Sequence, residues 1–233
     1  MRLKLKGRLL AAWLALACMA LVAGEAGATT VTKANLVDLL RNSTSILKAS
    51  VTGVTDGFDA NGLPYTEVTV EIGRTLRGSE QGTYTFRQFG LLAPRLSADG
   101  TRKMLPAPSG FPKYADGEEV FLFLYKPAGL TGLRTTVGLS AGKFSFGPGR
   151  IENDLANVGL FRNVSLDAGL ATSNDARMLE TEIGAVNPDT FTAFVERAVT
   201  QGWVETCRLW NTSEGKTCPG GTRQTPVYKT GVN

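Results

Sequence analysis

The stretch Glu119-Val120-Phe121-Leu122-Phe123-Leu124-Tyr125 decides the fold class. Its five central residues are apolar without interruption, which fits a central strand covered on both faces. Upstream, over Pro64–Leu76, the residues Thr66, Val68, Val70 and Ile72 alternate with Tyr65, Glu67, Thr69 and Glu71. That period of two predicts a strand with one wet face. Thr83–Phe89 reads as a third strand. Lys48–Thr55 reads as another, ending in the turn-rich Asp56-Gly57…Asn61-Gly62. Downstream, Leu133–Leu139 and Lys143–Phe146 add short strands, with Gly138, Gly142 and Gly147 placed to allow bends or bulges.

Helices flank this strand-rich block. Leu36, Leu39, Leu40, Ser43 and Leu47 recur at helical spacing, so a helix is expected from Thr32, its N-cap, to about Lys48. After Gly149 the pattern changes. Asn187-Pro188-Asp189 reads as an N-cap, a first-turn proline and an acidic second position. Phe191, Phe194, Val195, Ala198, Val199 and Trp203 then repeat as a stripe suited to packing on the protein's own core.

The first 28 residues read as a secretory signal peptide. Arg2, Lys4, Lys6 and Arg8 form a basic start, Leu9 to Ala23 is apolar, and Ala26-Gly27-Ala28 offers a small-residue cleavage pattern. The expected mature protein begins near Thr29 and is secreted or periplasmic, without a transmembrane segment. Cys18 as a lipidated first residue is the alternative reading of this leader, and Ala15-Leu16-Ala17 approaches such a site poorly.

Cleavage changes the charge balance. The chain has 25 Lys+Arg and 21 Asp+Glu; removing four basic residues and Glu25 leaves 21 against 20. A near-neutral exported protein is a poor match for a nucleic-acid partner. Tyr84, Phe86, Phe89, Arg74 and Arg77 could form a stacking and basic surface, but a core explains the aromatics equally. The chain contains no histidine, which excludes imidazole metal sites and histidine-dependent nucleophiles. No cofactor or metal is expected. Outside the leader, Cys207 and Cys218 form an even pair, so a disulfide stabilising the chain by roughly 2–3 kcal/mol is expected in an oxidising compartment.

Several short antiparallel strands with glycine turns and flanking helices predict a mainly β fold built on a small closed barrel. The expected organisation is a leader over 1–28, a barrel over 29–150, and a C-terminal helical extension over 151–233 with a disulfide loop and a flexible tail. Ser45-Ile46…Val51-Thr52-Gly53-Val54, Tyr65-Thr66-Glu67-Val68-Thr69-Val70, Leu76-Arg77-Gly78, Gly117 through Leu124, and Val137-Gly138-Leu139…Gly142-Lys143-Phe144 resemble a poorly characterised group of secreted bacterial proteins. More distantly, the same rhythm is similar to the netrin-like module of metalloproteinase inhibitors, which implies an OB-type barrel over about Thr32–Phe146. Those inhibitors engage their protease through a cysteine at the mature N-terminus. Here no cysteine lies between Thr29 and Cys207, so that mechanism is not carried over.

Three constellations could carry function. Gly90–Lys113 is long and rich in Pro, Gly and Ser, and such loops are commonly functional or mobile. Leu91, Arg95, Arg102, Phe111 and Tyr114 in and beside it are the candidate contact residues for an extracellular or envelope protein or glycan. Ser45-Ile46-Leu47-Lys48 with Lys229-Thr230-Gly231 evokes a serine acyl enzyme in which a lysine activates the serine. The serine–asparagine element of such enzymes is missing, Ser173-Asn174-Asp175 being the nearest match. Carboxylates cluster at Glu118-Glu119 and at Asp56…Asp59. The first two, adjacent on a strand, face opposite ways, and the second pair reads as a solvated turn rather than a calcium loop. The expected function is therefore a non-catalytic binding protein, with an extracellular hydrolase using Ser45 and Lys48, or a protease inhibitor, as alternatives.

Overall fold

A computed structural model describes residues 34–96, 100–101, 103–104 and 106–216. The leader, Cys18, Thr32, Arg102, Cys218 and Lys229-Thr230-Gly231 lie outside the described residues.

Helix α1 (Leu36–Asn42) is shorter than its spacing predicts. Asn35, not Thr32, is its N-cap, in a reciprocal capping box with Asp38. The Ser43 hydroxyl donates back to the carbonyl of Leu39, and β1 (Ser45–Phe58) begins two residues later. The β-branched and hydroxyl residues after Asn42 favour an extended chain, so Leu47 continues the helical count without belonging to the helix.

β1 forms a 14-residue hairpin partner with β2 (Pro64–Arg77), which is also 14 residues long. β3 (Thr83–Phe89) follows, and a two-residue ladder joins β4 (Arg95–Leu96) to β5 (Lys103–Met104) within the long loop. β6 (Glu119–Leu124), β7 (Lys143–Gly147) and β8 (Arg150–Asn153) complete the main sheet. The six strands run β3-β2-β1-β6-β7-β8, each pair antiparallel. Leu133–Leu139, expected as a strand, contributes only a bridge from Thr136 to Leu124 and leads into a 3-10 turn at Leu139–Gly142.

The sheet is open, which corrects the expectation of a closed OB or netrin-like barrel. Its outer strands, β3 and β8, do not pair with each other; β8 meets Val186 instead. The physical reason lies in β6. A small closed barrel buries only its inner face, whereas Phe121 and Phe123 on one face of β6 and Val120, Leu122 and Leu124 on the other are all fully buried. The sheet needs covers on both sides, and so it stays open. The disulfide loop of the same expectation is not shown: Cys207 is buried and disulfide-bonded, and Cys218 lies outside the described residues.

Helices cover one face. α2 (Ser173–Leu179) and α3 (Pro188–Thr200) pack with α1 over Ile46, Phe121, Phe123, Phe144 and Ile151. Asn187 caps α3 with Pro188 in its first turn, and the predicted stripe Phe191, Phe194, Val195 and Ala198 is buried. Residues on both sides of position 150 thus share one core. The short pair β9 (Val164–Leu166) and β10 (Leu209–Asn211) borders it, and the main chain of Leu36 donates to Leu160 at 2.8 Å. The other face carries a smaller core: Leu47, Ala49 and Val51 of β1, Val68 and Val70 of β2, Phe86 of β3, and Val120, Leu122 and Leu124 of β6, with Tyr114 from the long loop's exit. No helix among the described residues is long and apolar enough to cross a membrane.

Candidate functional site

The second core is roofed by the described parts of the Gly90–Lys113 loop, which form a flap. Its entry and exit limbs run side by side: Leu91 bridges Pro106, and the Ala107 N–H donates to the Leu91 carbonyl at 3.0 Å. Gly90 permits this approach. Its φ is +103°, and a Cβ there would lie 2.4 Å from the Ala107 Cα. The flap is tied to the body at four places. Thr66 Oγ1 donates to the Gly90 carbonyl at 2.8 Å, and Gln88 Nε2 donates to the Pro112 carbonyl at 2.9 Å. The Ser140 N–H donates to Gly110 at 2.9 Å. Asp56, at the end of β1, accepts the Leu92 N–H at 2.7 Å and pairs with Arg95.

Beneath the flap lies a cavity of about 760 Å³, a size common among small-ligand sites. Its walls are mostly apolar, from Leu91, Leu92, Pro106, Pro108 and Phe111. Gln88 and Tyr114 also line it, at 3% and 9% exposure, and Gln88 Oε1 and the Tyr114 hydroxyl are buried without a hydrogen-bond partner. Such atoms lose hydration and regain nothing, a cost of about 1–3 kcal/mol each. Burial, and after it the charges of Glu118 and Asp154, push the Tyr114 hydroxyl well above its ordinary 10.0, so it stays a neutral donor. Exposed Lys113 and Asp154 line the same cavity.

Of the loop residues singled out from sequence, Leu91, Phe111 and Tyr114 come together around this cavity. Arg95 is drawn aside to Asp56, and Arg102 lies outside the described residues. Gln88 is not among the residues singled out from sequence, and Asp56, read there as part of a solvated turn, instead ties the flap. The alternation of β3 could have flagged Gln88, a polar residue on the face that Phe86 buries. Asp59 serves the hairpin turn, accepting from the N–H groups of Asn61 and Leu63, both at 2.8 Å.

Ser45 and Lys48 are not brought together. Ser45 pairs with Leu124 and Lys48 with Phe121, residues of opposite faces of β6. Lys48 binds Glu119 at 2.9 Å. Ser45, 3% exposed, donates to Glu80 and accepts from Arg134 at 2.5 Å. Arg134 also reaches Glu80 at 2.7 Å, the Tyr84 hydroxyl at 2.6 Å and the Tyr125 carbonyl at 2.5 Å. Burial pushes the Glu80 carboxyl up, but its bonds from Ser45 and Arg134 outweigh this and hold it below the ordinary 4.5. With its proton committed to Glu80 and Lys48 on the other face, Ser45 lacks the contact with Lys48 that lysine activation requires. The cluster is a brace joining the start of β1, the β2–β3 turn and β3. The supposed stacking surface is likewise occupied: Phe86 is buried, Tyr84 faces Arg134, and Arg74 and Arg77 pair with Glu196 and Glu205.

No family model matches the chain, and neither the curated proteins nor the solved structures yield a match. The likeness to netrin-like modules therefore rests on the sequence motifs alone.

Proposed function

We propose that the chain is an exported protein, secreted or retained in the envelope, that binds a partner without transforming it, and that its binding site is the cavity under the Gly90–Lys113 flap. The leader-like pattern from Arg2 to Ala28 supports export. The observation that carries the site is the pair of buried, partnerless polar atoms, Gln88 Oε1 and the Tyr114 hydroxyl, beside an apolar cavity. A polar pair of this kind adds nothing to stability and becomes useful when a ligand completes it.

A site-specific photocrosslinker tests the location. Benzoylphenylalanine would replace Leu92, 54% exposed at the cavity, or Ile183, 65% exposed on the loop after α2, in the chain beginning at Thr29. Illumination in the producing organism's envelope and secreted fractions should give saturable adducts from position 92 only. Asp56→Ala, which frees Leu92 and Arg95, should suppress them while the thermal transition is kept. Equal adducts from both positions, or none from position 92, would remove the cavity as the site.

A further inference from the structure

We infer that the ligand of this cavity is a segment of apolar polypeptide, held by one backbone amide between Gln88 Oε1 and the Tyr114 hydroxyl. This inference rests on the cavity being the binding site. Its first support is the hydrogen-bonding inventory. Gln88 is fixed by the bond from its Nε2 to Pro112, which leaves Oε1 as an acceptor with no donor. The Tyr114 hydroxyl is a donor with no acceptor. One acceptor and one donor are the complement of a single peptide unit, whose N–H and C=O need one of each.

The second support is what the walls lack. Several of their main-chain groups are already committed: Gly110 to Ser140, Pro112 to Gln88, Ala107 to Leu91, and Phe111 to the Pro108 carbonyl at 3.2 Å. Pro106, Pro108 and Pro112 have no N–H to give. A saccharide brings several hydroxyls per ring, and burying each without a partner is costly. Of the polar side chains that line the cavity besides Gln88 and Tyr114, Thr66 bonds Gly90 and Ser140 bonds Asp154, so a saccharide would have to rely on Ser109, Lys113 and Asp154. An apolar side chain needs only the surface that Leu91, Pro106, Pro108 and Phe111 provide.

The third support is the surface around the cavity. Leu92 is 54% exposed and Leu96, in β4, is 62% exposed; Phe89, 38% exposed, stands 6.3 Å from the Phe111 ring, centroid to centroid. Apolar surface thus continues from the cavity lining onto the flap, as an extended chain longer than the cavity would use. Gln88 Oε1 and the Tyr114 hydroxyl are closed to solvent. A ligand reaches these two atoms only where the lining beside them gives way.

The probe is a set of capped, uncharged, fluorescein-labelled octapeptides of Leu, Val, Phe and Pro, with chitohexaose as the saccharide counter-probe. Anisotropy would be read on the chain from Thr29 to Asn233. A subset of the peptides should bind saturably, and chitohexaose should not compete. Tyr114→Phe and Gln88→Leu should each weaken the best peptide about tenfold, the effect of roughly 1.4 kcal/mol. Replacing one amide of that peptide by an ester, which removes an N–H, should cost the same factor in the parent protein and nothing further in Gln88→Leu. Unlike a merely structural lesion, Tyr114→Phe should lose affinity while its thermal transition stays level or rises. Saturable chitohexaose binding, or peptide binding indifferent to both variants and to the ester, overturns the inference. So does the absence of any peptide binding. In each case adducts from position 92 would still uphold the cavity as the binding site, so the two proposals fail separately.

Discussion

The two faces of the sheet are covered in opposite ways. On the helical face, Phe121, Phe123, Phe144 and Phe191 interlock with centroid separations of 4.9 to 6.5 Å, and Phe194 meets Trp203 edge-on at 5.5 Å. All six are fully buried. On the flap face, the cover is a loop held by four ties, with a cavity beneath it and two partnerless polar atoms beside that cavity. The first face is filled as a core that carries stability is filled. Arg197 Nε on α3 is partnerless as well, but the second face adds empty volume beside its unsatisfied groups, features that cost stability and are tolerated where a ligand is to be received. The largest expected effect of any single change should therefore fall on the helical side. Phe121→Ala should lower stability by about 3–5 kcal/mol in urea unfolding, because it opens a gap beside the Phe123 and Phe191 rings. A loss below about 1 kcal/mol would mean that this core is not the one that holds the fold.

How much of this was legible depends on whether the signal was local. The double-sided burial of β6 was readable in Val120–Leu124, because a continuous apolar run can satisfy itself only between two covers. The stripe of α3 and its Asn187-Pro188 start were readable for the same reason. The boundary between α1 and β1 was not, since Leu47 happens to extend the helical spacing into the strand. Nor was the open edge. Closure depends on whether β8 meets β3 or Val186, a choice made by residues far apart in the chain. The flap drew notice through its length and its prolines. That Arg95 serves Asp56, 39 residues away, left no pattern in the string, whereas Gln88 is marked only by the alternation of β3.

The brace around Arg134 sharpens the comparison, because it ties the flap side without belonging to the cavity. Glu80 titrates below its ordinary 4.5 in the folded chain. Its contribution to stability is thus present above that value and disappears as the pH falls through the folded-state pKa. Glu80→Gln should lower stability near neutrality, leaving the Arg134 charge buried without its counter-ion, by about 3–5 kcal/mol if no water compensates. Between about pH 5 and pH 3 the variant should lose less stability than the parent, since it has no carboxylate to protonate there. Thermal unfolding of both proteins across that range decides the matter, and parallel curves would show that Glu80 is not held in the charged state by the brace.

The smallest effect is the most discriminating. Tyr114 ionises above its ordinary 10.0 in the folded protein, so its neutral form is favoured by folding. The sign is opposite to that of Glu80. The contribution is complete below about pH 10 and is lost as the pH rises toward the folded-state pKa, because the unfolded chain releases the proton first. Tyr114→Phe removes both this alkaline liability and a buried hydroxyl with no partner. It should match the parent at neutral pH or exceed it by up to about 1 kcal/mol, and the gap should widen above about pH 10. A parent that resists alkali as well as Tyr114→Phe would mean that the hydroxyl ionises freely and is not shut away from water. The asymmetry between the faces would then narrow to the cavity alone, and the donor assigned to the ligand would be lost with it.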